Sequence, residues 1–299
     1  MNKKYSRYLF VVNPIAGDNE KEEFAEWISE LVTQHGLDYK TYYTTGEGDE
    51  TEIKNLIDSF KPEIVVAAGG DGTVNLVAHH LLATDIAMAI IPLGSGNGLA
   101  KDLKIPHLNA KDALELIVEP KVIEIDTLEA NDNFFMHISD IGFNAHIVRL
   151  FNNGSSRGLL SYMKFTVKEF FKYDTFHYQI ETDMEKIKGH AFMITIANSN
   201  QFGSNLTINP NGEYDDGTFE IIIIRRFPRR KILAIMWRLI TKKINFSPYT
   251  RVLKCQRATI RTKKLKTLQA DGEILGRVNE ANIKIHHRSL KVVVPARQR

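Results

Sequence analysis

Apolar runs of strand length alternate with stretches of helical periodicity over roughly the first 120 residues. The runs near 7–12, 38–44, 63–68 and 86–91 predict strands, and the segments near 19–35, 49–60, 73–83 and 109–119 predict helices. Strict alternation of this kind predicts a doubly wound α/β half built on a parallel sheet. Beyond Lys121-Val122-Ile123-Glu124-Ile125-Asp126 the pattern changes to strands near 134–141, 174–183, 190–198, 218–225, 251–262 and 281–286, with a turn at Asn131-Asp132-Asn133. Only two helices interrupt this second half, near 157–172 and 229–244. The change of period places a domain boundary at 126/127, giving domains 1–126 and 127–288. No internal repeat or low-complexity segment intervenes, which excludes a long flexible linker.

Composition adds bounds. A chain of 299 residues with 43% hydrophobic content can bury two modest cores. The lone Cys255 excludes an intrachain disulfide and reads as a small buried side chain in a reducing compartment. The apolar stretch after Arg7 is too short for a signal peptide or a membrane span, so the chain is expected in the cytoplasm. The net charge of +3 hides an asymmetry: residues 221–270 hold fifteen Lys and Arg and no Asp or Glu, leaving the rest net acidic. Within that tract Ile232, Ile235, Met236, Leu239 and Ile240 recur at helical spacing among Arg230, Lys231, Arg238, Lys242 and Lys243, with Trp237 nearby. The stretch 229–244 is thus a basic amphipathic helix. Two uses are open for it: packing against the second domain, and peripheral docking on an anionic membrane surface, the inner face of the membrane for a cytoplasmic chain. No nucleic-acid motif accompanies the basic residues, and aromatic interleaving is sparse, which argues against nucleic acid as a partner. His79 and His80, consecutive on a helix, diverge and form no ligand pattern.

The chemistry concentrates where strands end. Ile64-Val65-Val66-Ala67-Ala68 runs into Gly69-Gly70-Asp71-Gly72-Thr73, and Thr73-Val74-Asn75 can open a helix whose amides point at anions. Ile86-Ala87-Met88-Ala89-Ile90-Ile91 leads to Pro92-Leu93-Gly94-Ser95-Gly96-Asn97-Gly98, and the first strand ends in Asn13-Pro14-Ile15-Ala16-Gly17. Loops after neighbouring parallel strands can share one site. Farther on, Glu213-Tyr214-Asp215-Asp216-Gly217-Thr218 supplies hard oxygen donors, although Asp-Asp-Gly also suits a hairpin turn. Asp271-Gly272-Glu273 sets two carboxylates across a glycine, a pattern that suits a general base with a charged neighbour and equally a tight turn.

Val-Asn-Pro-x-Ala-Gly at 12–17, Gly-Gly-Asp-Gly-Thr at 69–73, Pro-Leu-Gly-Ser-Gly-Asn at 92–97, Tyr-Asp-Asp-Gly at 214–217 and Asp-Gly-Glu at 271–273, in this order, resemble the diacylglycerol kinase catalytic-domain family. That family includes sphingosine kinases, ceramide kinases and soluble bacterial lipid kinases. The resemblance implies an NAD-kinase- and phosphofructokinase-like α/β domain for nucleotide, followed by a β-sandwich lipid-binding domain, with the strand 289–295 returning to the first. It also implies an ATP- and magnesium-dependent transfer of the γ-phosphoryl group to a lipid hydroxyl, with diacylglycerol as the default acceptor and a homodimer among the assemblies open to the chain.

Carried over by position, nucleotide contacts fall on Asn13, Thr44, Gly69, Gly70, Asp71, Gly72, Thr73, Asn75, Ser95, Gly96 and Asn97, with Asp71 as loop organiser or magnesium relay. Magnesium would be held by Asp216, with backbone oxygens near Glu213 and Thr218. The proton acceptor is Glu273 with Asp271 orienting it, an assignment the two could exchange. Several positions depart from the family pattern: Leu76 and Asn144 stand where acidic residues are common, Gly98 replaces a frequent Asp, and Ser95 replaces Thr while keeping the hydroxyl. Those departures motivate a rival from another class, a catalytically weak nucleotide-responsive membrane-binding protein. NAD kinase is the rival enzyme, disfavoured by the 92–97 loop.

Overall fold

A computed structural model of the chain describes residues 5–16, 21–94, 96–152, 159–198, 207–210 and 212–296. The chain divides into two compact units, Met1–Ile125 with Arg288–Arg299, and Asp126–His287.

The first unit follows the alternating pattern: β1 (Arg7–Val12), α1 (Lys21–His35), β2 (Asp38–Tyr43), α2 (Asp49–Phe60), β3 (Ile64–Gly69), α3 (Asp71–Leu81), β4 (Ala87–Pro92), α4 (Gly98–Asp102) and α5 (Ala110–Glu115). Its strands lie in the order β2-β1-β3-β4, all parallel. The central β3 and β4 are buried at every residue, in keeping with their uninterrupted apolar sequence. The edge strand β2 keeps Tyr39 and Tyr43 exposed. The predicted helix starts at 19 and the predicted Ser95 contact lie partly or wholly outside the described residues, and α5 is shorter than the predicted 109–119.

The second unit is mostly β: β5 (Lys121–Ala130), β6 (Asn133–Phe135), β7 (Ile138–Gly142), α6 (Phe143–Asn152), α7 (Leu159–Lys172), β8 (Phe176–Thr182), β9 (Lys186–Ala197), β10 (Phe219–Arg225), α8 (Ile232–Ile240), β11 (Thr250–Cys255), β12 (Arg257–Ala270) and β13 (Glu273–Val294). The long strands β9 and β12 are bridged at one end by β7 and at the other by β8, all antiparallel, while β10 and β11 extend from β9. A core of Phe135, Ile141, Tyr178, Ile194, Phe219 and Leu268 among others fills the interior. Strand β10 shows why its sequence, Phe-Glu-Ile-Ile-Ile-Ile-Arg, lacks alternation. Phe219, Ile221 and Ile223 enter that core, and Ile222 and Ile224 enter a second one with Ile235 and Leu239 of α8, so both faces are covered.

Four expectations are corrected. The predicted strand 134–141 breaks at Met136-His137, and 251–262 breaks at Gln256, whose amide donates to the Asp183 carboxylate at 3.1 Å. The segment 281–286 is the middle of the 22-residue β13. The predicted helix 229–244 is a 3-10 turn (Arg229–Lys231), then α8, which ends where Lys242 takes φ 58°. Strand β13 carries its last residues into the first unit, where Lys291 and Val292 pair in parallel with Ala87 and Met88 of β4.

Candidate active site

In the first unit the ends of the four parallel strands are tied to one another by backbone bonds. The Asn13 amide donates to the Ala68 carbonyl, the Thr44 amide to Val12 and the Leu93 amide to Gly69, each at 2.9 Å. The Asn13 carboxamide oxygen accepts the Ile15 amide at 2.9 Å and so braces its own turn. The turns after β3 and β4 approach so closely that a Cβ on Gly94 would lie 2.6 Å from the Gly70 Cα, and one on Gly69 would lie 2.3 Å from the Thr73 hydroxyl oxygen. Only glycine fits at these contacts.

Asp71 spans the gap: its Oδ1 accepts the Gly98 amide at 2.8 Å, while its Oδ2 lies 2.6 Å from where a Cβ on Gly96 would be. Asn97, in the left-handed region at φ 54°, closes its turn by accepting the Gly94 amide at 3.1 Å and donating back to the Gly94 carbonyl. At position 98, where the family often has Asp, the backbone amide is what meets Asp71. Helix α3 opens at Gly70 with no side-chain cap, which leaves its first amides for an anion. Within α3, Thr73 is buried and the Asn75 side-chain oxygen is buried with no hydrogen-bond partner. Thr44 stands beside a loop organised by Asp49, whose carboxylate accepts Thr45 and Gly46 amides at 2.9 Å and the Tyr42 hydroxyl at 2.7 Å. Burial works to raise the Asp49 pKa, but these donors outweigh it and hold the carboxyl below the usual range.

In the second unit the two carboxylates of the 271–273 motif are treated differently. Asp271, at φ 46°, accepts the Met136 amide at 2.8 Å on one oxygen and the His137 and Ile138 amides at 3.1 and 2.8 Å on the other. Those amides are the ones freed where the predicted strand breaks. Burial raises the Asp271 pKa even against His137 and the three donors. The Glu273 side chain is exposed, and none of the hydrogen bonds of the described residues engages it.

The 213–218 turn centres on Asp216. One of its oxygens accepts the Thr218 amide at 2.9 Å and hydroxyl at 2.6 Å, and the other accepts the Lys254 ammonium at 2.6 Å. Burial favours the neutral acid, yet Lys254 and Thr218 prevail and keep Asp216 ionised to unusually low pH. Glu213 acts on this group through its charge, which with those of Asp216 and Glu220 raises the Lys254 pKa, the Asp216 hydrogen bond contributing most. Among the described residues no three His, Cys, Asp or Glu side chains converge as a metal cage. The turn is anchored from below by the buried Asp126, which accepts the Gly217 amide at 2.7 Å and pairs with His287 at 2.8 Å.

Sequence reasoning missed Asp140 and Gln269. Asp140 on β7 is fully buried and accepts from Asn144, Ala145 and Gln269, and burial pushes its pKa up to about 6. This accounts for Asn144, where an acidic residue was expected: its amide donates to Asp140 at 2.6 Å, and a second carboxylate would repel the first.

The unit also holds an apolar cavity of about 480 Å³, lined by Phe170, Tyr173, Phe192 and Phe227 together with Arg226 and Arg229. Helix α8 has two apolar faces. Ile235 and Leu239 are buried, whereas Leu233, Trp237 and Ile240 are 79%, 66% and 56% exposed, and Phe246 beyond the helix is 77% exposed. Among the described residues no helix is long and apolar enough to cross a membrane.

The family profile described as "Diacylglycerol kinase catalytic domain" matches residues 7–130, and that described as "YegS C-terminal NAD kinase beta sandwich-like domain" matches residues 138–294. The chain is similar to a protein named diacylglycerol kinase from Bacillus subtilis (strain 168), 22% identical over 296 residues that cover 97% of this chain and 96% of that one. It is similar to another so named from Staphylococcus saprophyticus subsp. saprophyticus, 23% identical over 292 residues, 94% and 93% of the two chains. A crystal structure of a diacylglycerol kinase from Bacillus anthracis str. Sterne shares the fold, with a TM-score of 0.77 at 22% identity over 98% of each chain. The two profiles between them take in every motif from the first Asn-Pro turn to Asp271-Gly272-Glu273, and the chain belongs to the diacylglycerol kinase catalytic-domain family of lipid kinases.

Proposed function

We propose that the chain is an ATP- and magnesium-dependent lipid kinase that transfers the γ-phosphoryl group to a lipid hydroxyl, with diacylglycerol as the default acceptor. The observation that carries this reading is the division of labour at 271–273: Asp271 is committed to three backbone amides, and Glu273 is exposed and unengaged. A general base must reach the hydroxyl whose proton it takes, and a carboxylate saturated by amides cannot. Glu273 is therefore the proton acceptor and Asp271 the residue that fixes its turn.

The nucleotide reading draws support from the orphaned Asn75 oxygen, the uncapped start of α3 and the glycine-lined approach of the turns after β3 and β4. Asn13, Thr44, Gly69, Gly70, Asp71, Gly72, Thr73, Asn75, Ser95, Gly96 and Asn97 would hold ATP, with Asp71 organising the loops. The first unit is then the nucleotide domain, read as doubly wound because α2 packs with α3 and α1 with α5. The donor set at 213–218 fits a magnesium ion in kind, being an ionised carboxylate whose field already attracts an ammonium. Asp216 would hold the ion, with backbone oxygens at Glu213 and Thr218. Bound there, magnesium supplies positive charge toward the anionic substrate.

The second unit is the lipid-binding sandwich, and its aromatic cavity suits an acyl chain. The outer face of α8 would dock on anionic bilayer surface, with Trp237 at the interface and Arg230, Arg238, Lys242 and Lys243 toward headgroups. This makes the protein a peripheral one at the inner face of the membrane.

The test is transfer of labelled γ-phosphate from ATP with magnesium into a panel of lipids in mixed micelles, with NAD in a parallel tube. Labelled lipid is expected. Label in NAD, or ATP binding with no labelled lipid, would overturn the reading in favour of one rival or the other.

A further inference from the structure

Asp140 and Gln269 sit directly opposite each other on the antiparallel ladder between β7 and β12, so their side chains share a face. Both are withdrawn from solvent, at 0% and 2% exposure. The Asp140 Oδ2 accepts the Asn144 amide at 2.6 Å and the Gln269 Nε2 at 2.5 Å, while Oδ1 accepts the Ala145 backbone amide at 2.7 Å. Gln269 passes the contact on, because its Oε1 accepts the Gly272 amide at 2.9 Å. The Gln269 backbone is pinned separately, its carbonyl accepting the Ser139 hydroxyl at 2.7 Å.

A carboxylate can only accept, so it selects which end of the glutamine amide faces it. With the NH2 end committed to Asp140, the oxygen is left for Gly272. On its Cβ side that glycine is open, since a Cβ there would meet no atom within 4 Å, and its φ of 90° is one few side chains adopt. The neighbouring Asp271 is held by residues 136–138 through its carboxylate and by the Ile138 carbonyl through its amide. Ala270 and Glu273 close the turn by pairing across β12 and β13, and the Gln269 contact is the side-chain hold on the Gly272 amide between them.

We propose that Asp140, acting through Gln269, is a positioning residue that locks the Gly272 amide and thereby aims the Glu273 carboxylate. The proposal rests on the reading of Glu273 as proton acceptor. A buried polar pair with this arrangement acts on geometry, since neither side chain is exposed to substrate. Loss of the lock lets the turn at φ 90° relax, and misplacing a reacting group by about 1 Å can cost on the order of 10²-fold in rate.

The experiment compares Gln269→Met, Asp140→Asn, the double variant Asp140→Asn/Gln269→Glu and, in parallel, Glu273→Gln. Each is assayed for kcat and KM with ATP and lipid micelles, for thermal stability, and for hydrogen exchange at the Gly272 amide. Gln269→Met is expected to lower kcat at least ~10-fold with KM for ATP within about 2-fold, and to speed exchange at Gly272. Asp140→Asn is expected to act in the same direction by freeing the glutamine amide to turn over. The double variant swaps donor and acceptor across the same hydrogen bond and is expected to recover kcat and Gly272 protection, which a merely structural role would not give. Unchanged kcat in Gln269→Met alongside a crippled Glu273→Gln would overturn the positioning role and leave the base assignment standing. Full kcat in Glu273→Gln would overturn the base assignment, and with it the catalytic purpose of the lock, while Gly272 exchange still reports whether the lock exists. Gln269→Met leaves every ionisable group in place, so it remains informative where Asp140→Asn fails to fold.

Discussion

The Asp71 carboxylate accepts the Gly98 amide at 2.8 Å, a side-chain contact that joins the turn after β3 to the start of α4 beyond the turn after β4. Asp71→Ala is expected to weaken ATP binding by roughly 10- to 100-fold, the scale of one charge-assisted hydrogen bond. Calorimetric titration with ATP checks this, and unchanged affinity would detach Asp71 from the nucleotide site. Gly94→Ala, which drives a Cβ to 2.6 Å from the Gly70 Cα, is expected to lose about 1–3 kcal/mol of stability as well.

Asp271 and Glu273 are expected to part company on substitution. Glu273→Gln should reduce kcat by roughly 10²- to 10⁴-fold with little change in melting temperature. Asp271→Ala should instead lower the melting temperature, because it strands three amides at 136–138. The reverse pattern would exchange the two roles.

The buried Asp140 has a stability signature of its own. Its folded pKa, pushed up to about 6, lies above the unfolded value near 4, so the folded state binds the extra proton between these limits. Its contribution to stability is fully present below about pH 4 and is lost as the pH rises through 6, a swing on the order of 3 kcal/mol for a 2-unit shift. Urea unfolding of the wild type and of Asp140→Asn across pH 4 to 7 is expected to show this component only in the wild type. Parallel profiles would refute it.

Lys254 occupies one oxygen of Asp216 at 2.6 Å and therefore competes with any cation for that carboxylate. Lys254→Met is expected to enlarge the rise in melting temperature produced by magnesium without nucleotide, and Asp216→Ala to abolish it. Equal shifts in all three proteins would remove this turn from magnesium binding.

The two faces of α8 should respond to different assays. Leu239→Ala, on the inner face, is expected to cost about 2–5 kcal/mol of stability and leave vesicle affinity intact. Trp237→Ser, on the outer face, should spare stability while weakening sedimentation with anionic vesicles, and Arg230→Glu with Lys242→Glu should do so more strongly at low salt. Salt-independent vesicle binding would argue against electrostatic docking.

Sequence carried the first unit well for a physical reason: β3 and β4 are buried throughout, and a fully apolar run between glycine turns has few other readings. It carried α8 only in part. The stripe with Ile235 and Leu239 is its inward face, and the exposed Leu233 and Trp237 form another that the same periodicity obscured. Breaks at Met136-His137 and Gln256 were invisible because their causes, Asp271 and Asp183, lie far along the chain. Asp140 and Gln269 escaped for a related reason. One aspartate and one glutamine 129 positions apart make no spacing to notice until β7 and β12 set them face to face.

Strand β13 brings Leu290, Val292 and Val293, all essentially buried, to the open side of β4. The parallel sheet thus borrows a strand encoded after the whole of the sandwich, and during synthesis β4 must wait with an unpaired apolar edge while roughly 200 residues are made. A fragment ended near residue 125 would keep every glycine of the turns after β3 and β4 and still be prone to aggregate, so excising this half as a stand-alone domain requires grafting residues 288–294 back onto it.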